Sequence, residues 1–185
     1  MDKRRVILVT DGDSIAQSAV ERAAYNIGGR CISASAGNPT PLSGREIIDL
    51  IKQAPYDPVV VMVDDHGAKG VGKGERVMSE ILNDKSIDVL GVVAVSSKGS
   101  DCNGLGVTCS INNEGQVIEN AVDKHGYDTG RKTICGDTLS ILKTRKELII
   151  VGIGDPGKME GKDEILKGSK ITTKALEEII KRSGR

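Results

Sequence analysis

The chain has 185 residues, enough for one ordinary domain with a continuous core, and we predict a single α/β domain over residues 1–185. Its 26 basic and 26 acidic residues balance, which argues against strong nucleic-acid binding because such proteins rely on an excess of Lys and Arg. The lack of Trp and Phe also leaves little for stacking on bases.

Membrane-spanning and metal-thiolate proteins are disfavoured as well. No stretch approaches the roughly 18 to 20 apolar residues that span a bilayer. The charged N-terminus runs directly into a predicted strand, so we expect a soluble chain with no transmembrane segment and no signal peptide.

The four cysteines contain no close CxxC pair, which favours structural or incidental thiols over a zinc site or a disulfide framework.

Apolar, β-branched runs alternate with amphipathic segments along the chain. This alternation predicts a mainly parallel sheet with helices on both faces, a three-layer α/β fold of the Rossmann-like kind. The first strand is predicted at residues 6–10, and the helix after it begins with a capping box of Ser14 and Gln17. Ser43 and Glu46 form a second capping box. Further strands are predicted at residues 30–35, 59–63, 89–95 and 148–153, and further helices at 75–82 and 171–183.

Three segments depart from this alternation. Residues 106–119 are predicted as an antiparallel hairpin, because two apolar runs flank a tight turn that contains glycine. The polar stretch 123–132 is predicted as an exposed loop. Residues 67–74 form a glycine-rich loop that resembles an anion cradle in composition but lacks Walker A spacing, and we interpret it as a mobile loop that closes on a ligand.

Two predicted strands end in pairs of carboxylates. Asp11 and Asp13 follow the first strand, and Asp64 and Asp65 follow the strand at 59–63. Because ligands of open α/β sheets bind beyond the carboxyl ends of the strands, we expect these four side chains to converge there. Carboxylates suit Mg²⁺ or Ca²⁺, which makes the four the candidate metal ligands. The alternative is that Asp13 or Ser14 merely caps a helix.

Four more residues are candidates for a ligand-binding crevice at the same edge of the sheet: His66, Gly72, Asp155 and Lys158. Residues 152–157 formally match GxGxxG, but a tight turn is favoured over NAD binding because too little chain follows for a βαβ unit. No motif recommends a catalytic nucleophile. We therefore expect a protein without catalytic turnover, and no cofactor is assigned beyond a candidate Mg²⁺ or Ca²⁺.

Several long strings carry a resemblance that covers nearly the whole chain. They are VILVTDGD at 6–13, GRCISASAGNPT at 29–40, PYDPV at 55–59, VLGVVAV at 89–95 and IVGIGDPGKM at 150–159. With them the chain resembles the stage V sporulation protein AE family, small soluble proteins of the stage V sporulation A group.

The resemblance implies a role in endospore-forming bacteria. The stage V sporulation A proteins act in moving dipicolinic acid with its calcium into the developing spore and out at germination. The resemblance thus implies a soluble accessory protein of the forespore or spore, peripheral to the inner membrane, whose partners are other stage V sporulation A proteins. It would act by binding those partners or a small ligand. It carries over no catalytic or binding residues.

The strand-end carboxylates also resemble those of Toprim domains, in which a glutamate after one strand and a DxD after another hold Mg²⁺. Asp11 and Asp13 supply the DxD, but no glutamate follows an earlier strand, and Asp64 with Asp65 would have to substitute. We therefore predict a Toprim-like fold without nucleotidyl-transfer activity. The alternative to the accessory protein is a Mg²⁺-dependent phosphoryl-transfer or nucleic-acid enzyme of Toprim type. The third hypothesis is a small-ligand sensor.

Overall fold

A seven-stranded sheet flanked by helices forms the centre of the structure. The computed structural model describes residues 2–68, 70–98 and 102–185. The strands in these ranges are β1 (Arg4–Val9), β2 (Arg30–Cys31), β3 (Val59–Met62), β4 (Ile87–Val95), β5 (Leu105–Gly106), β6 (Cys109–Ile111), β7 (Val117–Ile118), β8 (Thr133–Ile134) and β9 (Ile150–Ile153). The α-helices are α1 (Ser14–Asn26), α2 (Gly44–Gln53), α3 (Lys73–Asn83) and α4 (Lys170–Ser183), with 3₁₀ turns at Ser33–Ser35, Ser140–Thr144 and Ile165–Lys167.

The strand order in the large sheet is β2-β3-β1-β4-β9-β6-β7, and the neighbouring pairs are parallel except for β6 with β7. Successive strand residues point to opposite faces, so each face has its own core. On one face Val6 and Leu8 share a cluster with α2 and α3. On the other, Ile7 and Val9 share a cluster with α1 and α4. The predicted three-layer α/β fold is confirmed.

The helix starts agree with the sequence analysis at α2 and differ at α1. At α2 the Glu46 amide donates to Ser43 Oγ, and Glu46 Oε2 accepts from the Ser43 amide, so this capping box is confirmed. At α1 the N-cap is Asp13, whose Oδ1 accepts from the Ala16 amide at 2.8 Å. The predicted box of Ser14 and Gln17 is wrong, because Ser14 already lies inside the helix and the stronger acceptor precedes it.

Beyond β4 the chain builds an addition to the sheet. The predicted hairpin is present as β6 and β7, which pair antiparallel at the sheet edge. A separate two-stranded antiparallel sheet, β5 with β8, was not predicted, because strands of two residues carry no periodicity. Residues 123–132 are largely exposed, as predicted, although Gly126 is buried and Asp128 forms a bridge with Val122.

The cysteines divide into a bonded pair and two free thiols. Cys102 and Cys135 form a disulfide across 33 residues of sequence, which anchors the strands of the small sheet. The expectation of structural or incidental thiols in place of a disulfide is wrong for this pair, since only the tertiary fold brings the two sulfurs together. Cys31 and Cys109 are free and buried in the core, and burial raises the pKa of the Cys31 thiol to about 12.

Candidate functional site

A crevice opens where two neighbouring strands send their loops to opposite faces of the sheet. The chain leaves β1 for α1 on one face and leaves β3 for α3 on the other. Strands β1 and β3 are neighbours in the sheet, so the loops that follow their carboxyl ends diverge at this point. Open α/β sheets bind ligands at such a point. The cavity between the loops has a volume of about 320 Å³, and we call it the acidic crevice. Its carboxylates are Asp11, Asp13, Asp64, Asp137 and Asp155.

Three of these carboxylates lie close enough to hold one ion. One oxygen from each of Asp11, Asp13 and Asp155 lies within 4.8 Å of the others, and we call these residues the acidic trio. Ca²⁺ binds oxygens at about 2.3–2.6 Å, so two oxygens that share one ion lie at most about 5 Å apart. The trio thus has the donor chemistry and the spacing for one hard divalent cation.

The electrostatics of the trio disfavour three negative charges in the absence of a cation. Burial, together with the charges of Asp13 and Asp155, raises the pKa of Asp11 to about 7. Hydrogen bonds from the amides of Gly12 and Asp13 to Asp11 Oδ1 oppose this rise only in part. A cation would compensate the repulsion, so proton and cation compete for the same carboxylate.

Asp155 lies after β9 and was predicted as a crevice residue instead of a metal ligand. Its Oδ1 accepts from the Gly157 amide at 2.9 Å, and its Oδ2 pairs with Lys158 Nζ at 3.2 Å. Lys158 is half exposed, so its ammonium can swing away. The lysine therefore occupies one oxygen of the trio in this structure.

The carboxylates after β3 have other partners. Asp64 lines the crevice but lies outside the trio, and its Oδ1 accepts from the His66 amide at 2.9 Å. Burial raises the pKa of Asp64. Asp65 is buried, and its Oδ1 accepts from the Glu75 amide in the first turn of α3 at 3.1 Å. The structure thus brings two of the four predicted metal ligands into the trio, with Asp155 as the third.

Of the four predicted crevice residues, His66, Asp155 and Lys158 line the crevice and Gly72 does not. His66 lines the crevice, and its Nδ1 meets Asn38 Oδ1 at 2.5 Å. Gly72 lies beside Asp65 at the start of α3, where a Cβ built on Gly72 would meet Asp65 Oδ1 at 2.3 Å, so its role there is close packing. Closure of the loop at 67–74 stays a prediction, and Lys69 within it lies outside the described residues.

Sequence reasoning missed Asp137, which lines the crevice from the segment after β8. Its Oδ1 pairs with Lys98 Nζ at 2.6 Å, and its amide donates to Ser97 Oγ at 3.1 Å. No predicted strand precedes Asp137, so the rule that looks for acidic residues after strands cannot find it.

A family model described as stage V sporulation protein AE1 matches residues 5–183 of the chain. The chain belongs to this family. Membership in the stage V sporulation protein AE1 family implies a role in sporulation, as the sequence strings predicted. Searches of curated proteins and of solved structures gave no match, so the likeness to Toprim domains stays a prediction. Within the described ranges, no helix combines the length and apolarity needed to cross a membrane.

The crevice disfavours the Toprim-type enzyme as an account of this family member. That alternative requires a glutamate beside the DxD, or Asp64 and Asp65 in its place, and neither Asp64 nor Asp65 belongs to the trio. Within the described part of the chain, the trio consists of aspartates alone, and the crevice holds five carboxylates against Lys158 and His66. Such a lining repels a phosphodiester backbone and attracts a small cation.

Proposed function

We propose that the protein is a soluble accessory of the sporulation system that moves dipicolinic acid with calcium across the spore inner membrane during spore formation and germination. In this role it binds a divalent cation, Ca²⁺ or Mg²⁺, in the acidic crevice and docks onto other stage V sporulation A proteins. It works in the forespore or spore, peripheral to the inner membrane, without catalytic turnover.

The observation that carries the ligand-binding part is the acidic trio. Asp11, Asp13 and Asp155 come from two separate loops, yet each places an oxygen within 4.8 Å of the others. Asp11 and Asp13 enter from the end of β1, and Asp155 enters from the end of β9. The sheet holds both strand ends in fixed positions, so a cation would join the two loops and change the surface around the crevice.

The process assignment is supported by family membership over residues 5–183. A calcium-handling assembly has a use for a subunit whose carboxylates sense the ion. The conformation of the two loops would then depend on cation occupancy, and partners that contact these loops would be retained or released accordingly.

Calorimetric titration with Ca²⁺ and with Mg²⁺ tests the cation site. We compare the wild type with the double variant Asp11→Asn, Asp13→Asn, because asparagine keeps the acceptor that caps α1 while it removes both charges. We expect binding by the wild type and at least about tenfold weaker binding by the variant. Asp49→Asn, an exposed position on α2, is the matched control and should bind as the wild type does.

The site would be rejected if the wild type gave no heat of binding with either ion, or if the double variant bound Ca²⁺ or Mg²⁺ with the same affinity as the wild type. Docking is tested separately by co-purification of the other stage V sporulation A proteins from sporulating cells, with the wild type and the same double variant as baits. Recovery of these proteins by the wild type alone links the cation to docking. Equal recovery by both would show that docking does not use the trio, and no recovery by either would reject the docking role.

A further inference from the structure

A second cavity lies beside the acidic crevice and has the opposite charge. It has a volume of about 230 Å³, and we call it the basic pocket. Buried Val122 and the disulfide-bonded Cys135 form an apolar floor, with buried Ser96 beside them. The volume is below the range of about 300–1,000 Å³ that is typical of drug-sized ligands, so the pocket suits a small molecule.

Basic side chains reach the rim of this pocket from separate segments. Lys98 comes from the chain after β4, Lys124 and His125 from the loop before β8, and Arg131 from the end of that loop. Lys124 is exposed, and in the part of the chain that the structure describes no carboxylate pairs with it. Such a ring above an apolar floor attracts an anion with a hydrophobic body.

Asp123 is the acidic side chain in the wall, and Lys98, Lys124 and Arg131 outnumber it. Its Oδ1 accepts from the amides of His125 and Tyr127, at 2.8 and 3.0 Å. The carboxylate therefore holds the loop in shape from within. Because Lys158 O can only accept, His125 Nδ1 donates to it at 3.0 Å, which leaves the Nε2 side of the ring for other contacts.

The basic pocket and the acidic crevice share a wall. Lys98 of the pocket pairs with Asp137 of the crevice at 2.6 Å. The Asp155 amide donates to the Lys124 carbonyl at 2.9 Å, which ties the trio to the rim of the pocket. Opposite charges that are held side by side on joined loops can stabilise a bound cation and a bound anion together.

We propose that the basic pocket binds a small organic oxyanion, a carboxylate or a phosphate ester, over its apolar floor. Lys124 and Arg131 supply donors to the charged groups of the ligand, and Val122 contacts its body. This anion site adds a second ligand to the proposed cation-binding role, rests on that role only for its place in sporulation, and needs no cation in the crevice in order to bind.

Titration of protein that has been freed of divalent cations on a chelating resin, in a buffer without chelator, tests the anion site independently of the cation site. The carboxylate probe is isophthalate, a flat aromatic dicarboxylate that chelates metal ions only weakly. The phosphate probe is glycerol 3-phosphate. We expect saturable binding of at least one probe. Lys124→Gln should weaken it by about tenfold or more, since it removes a charged hydrogen-bond donor. Arg131→Gln is the second variant and should act in the same direction.

The matched control is Lys85→Gln. Lys85 is exposed and lies just before β4, at the opposite end of that strand from the pocket, so the same charge is lost far from the ligand. Binding of isophthalate assigns a carboxylate ligand, and binding of glycerol 3-phosphate alone assigns a phosphate ester. The proposal is overturned if neither probe binds, or if Lys85→Gln weakens binding as much as Lys124→Gln does. Failure of Ca²⁺ to bind would reject the cation site and leave this result unaffected.

Discussion

The ends of β1 and β3 look alike in sequence and differ in what they do. Each strand ends in a pair of aspartates, yet Asp11 and Asp13 enter the crevice, whereas Asp65 is used inside the fold. The distance to the next helix accounts for the difference. Helix α1 begins immediately after Asp13, while α3 begins only at Lys73, so the chain after β3 folds back and Asp65 meets the first turn of α3. The loop that follows a strand thus decides whether a strand-end carboxylate faces the crevice or packs inside the fold.

The largest effect is expected at the buried cap. Asp65→Ala removes the acceptor of the Glu75 amide and leaves that buried donor unpaired, so we expect a loss of about 2–3 kcal/mol in the free energy of unfolding. Asp65→Asn keeps an acceptor and should lose about 1 kcal/mol or less. Urea denaturation measures both. Ca²⁺ affinity should be unchanged in Asp65→Asn, and a drop there as large as in Asp11→Asn would abolish the distinction between the two strand ends.

The second test uses the pH dependence of stability without cation. The pKa of Asp11 is raised from 3.8 to about 7, so between these pH values the folded chain holds a proton that the unfolded chain releases. The stability from this group is complete below about pH 4 and is lost as the pH rises to about 7. The shift sets a limit of about 4 kcal/mol, and we expect about half because Asp11 is partly exposed.

Thermal melts in EDTA from pH 4 to 8, compared between the wild type and Asp11→Asn, measure this contribution. The variant should lose the part of the decline that Asp11 contributes, because asparagine does not titrate, and it should be the more stable of the two above pH 7. Ca²⁺ should restore the wild type at pH 7.5 and leave Asp11→Asn nearly unchanged. Parallel pH profiles of the wild type and the variant in EDTA would contradict this prediction. They would show that the pKa of Asp11 is not raised and that solvent reaches its carboxyl group.

Much of this arrangement could be predicted from the sequence. Strands β1, β3, β4 and β9 are apolar over most of their length because helices or loops cover both faces, and that pattern is visible without a structure. The position of the site followed from the acidic residues after those strands. The disulfide of Cys135, the strand pair β5 with β8 and the place of Asp137 all depend on contacts between distant segments, which leave no local pattern.

The same limit explains the assignments at the site. Sequence reasoning placed Asp65 in the metal set because it stands beside Asp64 after a strand. Its contact with the amide of Glu75, ten residues further on, arises only when α3 packs against the sheet. Asp155 was assigned to the crevice because it follows β9, but only the strand order, with β4 between β1 and β9, brings it near Asp11.

Asp13 separates capping from cation binding within one side chain. Asp13→Ala removes the acceptor of the Ala16 amide and should lower the free energy of unfolding by about 1 kcal/mol. Asp13→Asn retains the acceptor and should change stability by only a few tenths of a kcal/mol. Both variants should weaken Ca²⁺ binding in calorimetry since both lose the charge, and Asp13→Ala should weaken it at least as much because it also loses the oxygen. Full Ca²⁺ affinity in Asp13→Asn would mean that Asp13 serves α1 alone, as Asp65 serves α3.

The smallest expected effect is a coupling between the crevice and the basic pocket. The Asp155 amide and the Lys124 carbonyl join the two sites, and Lys98 pairs with Asp137 across their shared wall, so a cation in one should favour an anion in the other. We expect saturating Ca²⁺ to raise the affinity for isophthalate about threefold, and saturating isophthalate to raise the affinity for Ca²⁺ by the same factor, because linkage is reciprocal. Calorimetry at low ionic strength measures both affinities.

Two variants test where the coupling originates. Asp65→Asn should keep the coupling and Asp11→Asn should lose it. Equal coupling in both variants would place its origin outside the trio, and no coupling in the wild type would mean that solvent screens the sites from each other.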